Sequence, residues 1–155
     1  MRLLNVVHIW RHISTTSSFD SSIPATSEKV TFIFNDYPAQ AVQIALAPEL
    51  IEWVIENICK NAADAMKGKG EITISITEDI SKVILNITDN GEGVNRSILK
   101  NIFKPGVTSK KRGWGLGLAL VKRIICEHHK GKVFVLKSKI DFGTTIRITL
   151  PVGHH

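Results

Sequence analysis

Two asparagines and an aspartate recur at helical spacing in the segment with the strongest helical pattern, from Pro48 to about Lys67. Steps of about 100° per residue place one polar stripe beside an apolar arc that must face the core. The stripe consists of Trp53, Asn57, Asn61 and Asp64. Asparagine is a mediocre helix former, but its amide can complete a magnesium shell and contact phosphate oxygens. The stripe therefore predicts either a polar helix boundary or a ligand site.

Two glycine-containing loops could hold a ligand. Asp89-Asn90-Gly91-Glu92-Gly93 follows an apolar strand, and a carboxylate there can accept a hydrogen bond from the exocyclic amine of a flat heterocycle. Asp-Asn-Gly is also a common turn. Gly113-Trp114-Gly115-Leu116-Gly117-Leu118 opens a predicted helix, where each glycine costs roughly 0.5–1 kcal/mol relative to alanine. Anion binding by the helix N-terminus would offset that cost, although the spacing is neither that of a P-loop nor of a dinucleotide fold.

Basic residues are concentrated in the C-terminal part of the chain. Residues 1–99 contain 8 Lys and Arg against 12 Asp and Glu, residues 100–155 contain 12 against 2, and the net charge is +6. Four of these cations, in the loop before the glycine-rich segment, could neutralise a triphosphate; they are Lys104, Lys110, Lys111 and Arg112. Such charge favours a polyphosphate, a membrane headgroup or nucleic acid, or simply a solvated surface. The interleaved aromatic residues typical of single-strand binding are missing.

The elements that position these residues follow from hydrophobic periodicity. Helices are predicted from Leu3 to Ile13, before a Ser-rich linker, near Asn95–Ile102, and from about Trp114 to His128. Strands are predicted at Lys29–Phe34 with Ala41–Leu46 as its neighbour, then at Glu71–Thr77, Lys82–Thr88, Lys132–Lys137 and Thr144–Leu150. His128 and His129 end the last helix, where positive charge suits the helix dipole. The pattern predicts a two-layer α/β sandwich with helices on one face of a mixed, largely antiparallel sheet.

Length and composition fit one globular domain. The chain has 155 residues, 43% of them hydrophobic and 22% charged, which is ordinary globular usage. No apolar run reaches the ~18 residues of a membrane helix, and no signal peptide is recognisable. Cys59 and Cys126 form no metal or disulfide pattern, so a reduced, cytoplasmic setting is expected.

Taken in order, the motifs form a specific set: Asn57, Asn61-Ala62, Asp89-x-Gly91-x-Gly93, Phe103, Gly113-x-Gly115-x-Gly117 and Gly143-Thr144. This set resembles the ATP-binding catalytic domain of sensor histidine kinases, from the superfamily shared with DNA gyrase, the heat-shock chaperone ATPase and MutL-type mismatch-repair ATPases. The resemblance implies the Bergerat-type α/β sandwich. The likeness covers roughly Lys29 to Leu150 and implies a catalytic domain at 28–151. The predicted N-terminal helix and linker then occupy 1–27, and the tail at 152–155 resembles a tag remnant.

The resemblance further implies that the ligand is ATP with Mg²⁺. Asn61 would coordinate Mg²⁺, Asn57 would lie beside the phosphates, and both would be catalytic. Asp89 would bind the adenine amino group. The remaining ATP-binding positions are Gly91, Gly93 and Thr144 around the adenine, a lid from Phe103 through Lys110 and Lys111 to Arg112, and Gly113, Gly115, Gly117 and Leu118 under the triphosphate.

One position bears on the reaction. In hydrolysing relatives a Glu four residues before the magnesium Asn acts as general base, whereas this chain has Asn57, whose neutral amide cannot accept a proton. This difference favours phosphotransfer over hydrolysis. No His is followed by Glu or Asp and then Pro, so the acceptor His is expected on a separate dimerisation domain, with a response regulator as an indirect partner. The alternative function is a nucleotide-dependent interaction module without transfer activity. The expected setting is the bacterial cytoplasm, without nucleic-acid or membrane contact by this domain.

Overall fold

The computed structural model describes residues 1–5, 29–35, 42–106 and 117–152. Its helices are α1 (Pro48–Ala65), α2 (Arg96–Leu99) and α3 (Gly117–Arg123), the last continuing as a π-helical segment (Ile124–His128). Its strands are β1 (Arg2–Asn5), β2 (Lys29–Asn35), β3 (Gln43–Leu46), β4 (Lys69–Glu78), β5 (Lys82–Asp89), β6 (Lys132–Lys139) and β7 (Gly143–Pro151). None of the described helices is long and apolar enough to cross a membrane.

Five of the strands form one mixed sheet in the order β2-β4-β5-β7-β6. β2 runs parallel to β4, and the other three pairs are antiparallel. Alternate residues of β4, β5 and β7 face α1 and α3, which lie on one side of the sheet and share its core. The predicted fold class, a two-layer α/β sandwich with a mixed, largely antiparallel sheet, is confirmed.

The core is built largely from isoleucine and valine. The apolar arc of α1 is buried as its periodicity predicts, with Ile51, Val54, Ile55, Ile58 and Ala62 all 6% exposed or less. Each such Val or Ile side chain contributes roughly 1.5–3 kcal/mol on full burial. Cys59 extends the arc, and burial raises the pKa of its thiol to about 12. This cysteine therefore stays protonated and serves as a small apolar core residue.

Two predictions for the N-terminal part are wrong. Arg2–Asn5 is not the start of a helix but strand β1, which pairs antiparallel with β3. Period-2 alternation packs Leu4 against the core and leaves Leu3 exposed, a pattern that so short an apolar run cannot distinguish from a helix. β3 is also not the neighbour of β2, because β2 pairs with β4. The rest of the predicted first helix and its linker lies outside the described residues.

The C-terminal end of α3 also differs from expectation. After Arg123 the helix continues with π-helical geometry, and His129, which follows it, is only 3% exposed. Its Nδ1 donates to the carbonyl of Ile124 at 2.9 Å, and its Nε2 accepts from the backbone N–H of Ala47, next to α1, at 3.1 Å. Only the neutral imidazole satisfies both partners. The expectation of a positive charge at His129 is therefore wrong: this side chain ties the end of one helix to the start of another.

We expect His129→Ala to lower the free energy of unfolding by about 2–3 kcal/mol, because two largely buried backbone groups lose their partner. His128→Ala is the matched control: the His128 side chain is exposed, and we expect a change within about 0.5 kcal/mol. Urea unfolding of the three proteins measures the difference. Equal stability of the two variants would show that the His129 link is energetically unimportant.

The same link predicts a pH dependence of stability. Burial lowers the pKa of His129, so the unfolded chain binds this proton more tightly than the folded one. The stabilisation is fully present above the unfolded pKa of about 6.5 and is lost as the pH falls through the lower folded pKa. The difference in unfolding midpoint between wild type and His129→Ala should therefore become smaller from pH 8 to pH 6 and pH 5. A constant difference would exclude this residue as the titrating group.

Candidate functional site

The polar stripe of α1 lies at the edge of the core. Trp53, Asn57 and Asn61 are half-buried, whereas Asp64 is exposed. Trp53 packs its ring against the core cluster. Half-buried amides at successive turns, next to a packed apolar face, form a polar rim along one side of the helix. This rim can present amide oxygens and N–H groups to a ligand.

The start of α3 lies directly against this stripe. A Cβ atom added to Gly117 would overlap Oδ1 of Asn57, so the missing side chain is what allows the two segments to approach so closely. The next residue, Leu118, packs against the core and anchors the first turn. The structure thus brings two of the predicted site residues, Asn57 and Gly117, into contact. Of the other predicted positions in this segment, Lys110, Lys111, Arg112, Gly113 and Gly115 lie outside the described residues.

The loop after β5 lies against the other end of α1. The backbone N–H of Glu92 donates to the carbonyl of Ala65 at 3.0 Å. A Cβ at Gly91 would lie 2.6 Å from the same oxygen, so glycine is required here too. Because Asn61 is one turn before Ala65, contacts with both glycine segments flank it. Asn57 and Ala65 are about eight positions apart, which is about 12 Å along the helix at roughly 1.5 Å per residue, a length of the order of an extended mononucleotide.

Asp89 is the half-buried carboxylate at the end of β5. Its Oδ1 accepts from the backbone N–H of Gly91 at 2.9 Å, and the backbone N–H of Thr144 also donates to the carboxylate. Burial raises the pKa of Asp89, and these two hydrogen bonds partly oppose the rise. A carboxylate offers about four acceptor positions. A held carboxylate of this kind can accept a further hydrogen bond from a ligand amine.

The turn between β6 and β7 closes over the same loop. Gly93 adopts a φ of 75° and lies against the carbonyl of Lys139. The backbone N–H of Asp141 donates to the carbonyl of Glu92 at 2.9 Å. The loop is therefore held between the end of α1 on one side and the β6–β7 hairpin on the other.

Two side chains, those of Ser138 and Asn90, hold this loop in ways that the sequence did not predict. Oγ of Ser138 accepts from the backbone N–H of Val94 at 2.9 Å and lies 2.8 Å from Oγ1 of Thr144. Oδ1 of Asn90 accepts from the backbone N–H of Glu71 at 3.0 Å, which ties the loop to β4. Ser138 belongs to no motif and lies far from the loop in sequence, so only the strand pairing could reveal it.

Phe103 follows α2 and is half-buried, with its ring packed against the core cluster. It anchors the start of the segment predicted to be a lid. Residues 107–112, the rest of that segment, lie outside the described residues, so the lid stays a prediction.

The described residues contain no cluster of three or more His, Cys, Asp and Glu side chains that could hold a metal ion. This donor set does not fit a cage made only of protein ligands. A single amide oxygen, such as that of Asn61, does suit Mg²⁺, which keeps several waters and commonly binds through one or two protein ligands plus phosphates.

The fold places Gly117 and the loop after β5 against α1. Residues 47–154 match the family described as histidine kinase-, DNA gyrase B-, and HSP90-like ATPase. The chain therefore belongs to this family, and the resemblance predicted from its motifs is confirmed.

The relatives in this family include sensor kinases of bacteria. The chain is 39% identical to sporulation kinase D of Bacillus subtilis over 114 residues, which are 74% of this chain and 22% of that protein. It is 40% identical to the signal transduction histidine-protein kinase AtoS of Escherichia coli over 106 residues, 68% of this chain and 17% of that protein. The chain thus spans about a fifth of the length of these relatives.

Solved structures support the fold. The nucleotide-free catalytic domain of histidine kinase ThkA superimposes with a TM-score of 0.75 at 22% identity, covering 97% of this chain and 96% of that one. The mycobacterial sensor histidine kinase MprB gives a TM-score of 0.74 at 22% identity, covering 99% of both chains. The architecture is that of a histidine kinase catalytic domain.

Proposed function

We propose that this chain binds Mg·ATP and transfers the γ-phosphoryl group to a histidine on a separate dimerisation domain of a sensor histidine kinase. One observation carries the proposal: three of the positions predicted to bind a nucleotide follow one another along α1. Gly117 lies on Asn57, Asn61 follows one turn later, and the Asp89 loop lies on Ala65. The family and the kinase relatives support the same function.

The adenine would bind at the end of α1 nearest Ala65. Asp89, held by Gly91 and Thr144, would accept a hydrogen bond from the exocyclic amine of the base. Gly91 and Gly93 would let the backbone approach the ring, and Thr144 would close the pocket from β7. This assignment uses the anionic form of Asp89, because the protonated carboxyl group loses acceptor capacity.

The triphosphate would extend toward Asn57 and Gly117. Asn61 would hold Mg²⁺ through its amide oxygen, and the ion would supply charge neutralisation at the phosphates. Asn57, the backbone from Gly113 to Gly117, and the cations Lys110, Lys111 and Arg112 would hold the phosphate oxygens, with Phe103 at the base of the lid. Positioning and electrostatic stabilisation would supply nearly all of the catalysis, as in other phosphoryl transfers.

The reaction balances without a general base from this chain. A ring nitrogen of the acceptor histidine forms the new P–N bond, the bond between the γ-phosphorus and the bridging oxygen breaks, and ADP leaves. Asn57 cannot take a proton from water, and its neighbour Glu56 lies about 100° away around the helix. Both facts disfavour hydrolysis as the main reaction.

In the same proposal, residues 28–151 form the catalytic unit in the bacterial cytoplasm, as part of a longer sensor whose response regulator receives the phosphoryl group afterwards. The experiment supplies a sensor-kinase dimerisation domain in trans with Mg²⁺ and γ-labelled ATP. We expect acid-labile, base-stable label on that domain, and none when its acceptor histidine is replaced by glutamine. Tight ATP binding without label on any dimerisation domain tested would contradict transfer and leave the interaction module.

A further inference from the structure

Two residues of the β6–β7 hairpin hold both ends of the loop from Asp89 to Val94. At the start of the loop, the carboxylate of Asp89 accepts from the backbone N–H of Thr144. At its end, the backbone N–H of Val94 donates to Oγ of Ser138 at 2.9 Å. Ser138 and Thr144 are register partners in the hairpin, and their hydroxyl oxygens lie 2.8 Å apart. One hydroxyl pair therefore links the two ends of the loop.

The donor and acceptor roles of the Ser138 and Thr144 hydroxyl groups follow from their hydrogen bonds. Ser138 has one hydroxyl hydrogen and accepts from Val94, so its hydrogen can be given to Oγ1 of Thr144. Thr144 then keeps its own hydroxyl hydrogen for another acceptor. Thr144 is 8% exposed and lies beside Asp89, so this hydrogen would be available to a base bound at Asp89. A purine ring offers nitrogen acceptors next to its exocyclic amine, so Thr144 and Asp89 together match a donor and acceptor pair of adenine.

We propose that Ser138 is a positioning residue for the adenine pocket. It acts through Val94, whose amide it fixes, and through Thr144, whose hydroxyl it orients, without touching the nucleotide. The proposal rests on the nucleotide-binding function proposed above. Its physical basis is pre-organisation: a loop fixed at both ends before binding loses less conformational entropy when the ligand arrives.

The test compares Ser138→Ala with Ser138→Thr, which restores the hydroxyl group. We expect Ser138→Ala to raise the Kd of Mg·ATP about 10-fold, because the loop amide loses its partner and the loop loosens. The preference for ATP over GTP should fall by a similar factor. GTP carries an oxo group where ATP carries the amine, and a loosened loop would distinguish the two groups less well. Ser138→Thr should stay within about 3-fold of wild type. A loss of packing alone would not change the ratio between the two nucleotides.

The matched control is Thr88→Val, which removes a second hydroxyl pair. Oγ1 of Thr88 lies 2.9 Å from Oγ1 of Thr145 and joins β5 directly to β7. We expect this variant to bind ATP and GTP as the wild type does. Hydrogen exchange of the Val94 amide in the wild-type domain without nucleotide tests the geometry independently of any variant, and we expect that amide to be protected.

The outcomes separate the two proposals. Wild-type affinity and selectivity in folded Ser138→Ala, or an unprotected Val94 amide in the wild type, would overturn the positioning role. If Ser138→Ala does not fold, Thr144→Val removes the same hydroxyl pair at constant volume. Retention of the full ATP-over-GTP preference by that variant would also overturn the role. The nucleotide-binding function itself fails only if the wild-type domain does not bind ATP.

Discussion

Asp89→Asn is expected to raise the Kd of Mg·ATP by about 100-fold while the domain stays folded. The asparagine oxygen can still accept from the backbone N–H of Gly91, but its NH₂ group would face the amine of the base, donor against donor. A hydrogen bond to a charged group contributes about 1.5–3 kcal/mol, which corresponds to roughly 10- to 150-fold in affinity. Titration calorimetry with ATP measures the loss.

The stability of Asp89→Asn should not fall along with its affinity for ATP. Burial raises the pKa of Asp89, so the folded domain binds this proton more tightly than the unfolded chain does. The charged carboxylate therefore costs stability at neutral pH, and Asp89→Asn should not lower the thermal midpoint. As the pH is lowered, ATP binding should also weaken at a higher pH than it would with an ordinary aspartate pKa of about 3.9.

Asp79→Asn is the matched control for this prediction. Asp79 is an exposed aspartate in the β4–β5 turn, where its Oδ1 accepts from Ser81 and Lys82. We expect no change in ATP affinity for this variant. An equal loss of affinity for ATP and for inorganic triphosphate in Asp89→Asn would contradict a role at the adenine.

Asn61→Ala should produce the second large effect, a loss of about 100-fold in Mg·ATP affinity. The reason is that the proposed site supplies Mg²⁺ with a protein amide oxygen at this position, and Mg²⁺ tolerates little departure from octahedral geometry. Binding of ATP in the presence of a chelator should change much less, because the adenine contacts remain. Calorimetry with and without Mg²⁺ separates the two contributions.

Lys60→Ala is the neighbouring control for Asn61. Lys60 is exposed, on the solvent side of the helix from the polar stripe. We expect its Mg·ATP affinity to match that of the wild type within about 3-fold. A Mg²⁺ requirement that persists unchanged in Asn61→Ala would move the metal to another residue.

Local patterns predicted the elements on which the site is built. The spacing of Ile51, Val54, Ile55 and Ile58 predicts the buried face of α1, and therefore also the position of Asn57 and Asn61 at its edge. The alternation in β4 and β5 predicts their pairing, because a short turn joins them. The strand end at Asp89 and the glycines after it likewise follow from local sequence.

Long-range partners could not be predicted in the same way. β2 pairs in parallel with β4 across α1, and nothing local in Lys29–Asn35 specifies that neighbour. His129 and Ala47, which are hydrogen-bonded, are 82 positions apart in the sequence. From local sequence alone, a histidine at a helix end is expected to be a cation rather than a buried neutral ring. Ser138 and Val94 are 44 positions apart. In each case the tertiary packing, not the local pattern, decides the role of the residue.

The most direct test of the central claim is a titration of the isotope-labelled domain with Mg·ATP, followed by amide chemical shifts. We expect two groups of signals to shift together with one Kd. The first is Gly91, Gly93 and Thr144, near the Ala65 end of α1; the second is Gly117 with the side-chain NH₂ groups of Asn57 and Asn61. Saturable shifts confined to one glycine segment, or to the lysines of β6, would contradict a single site that holds both the base and the triphosphate.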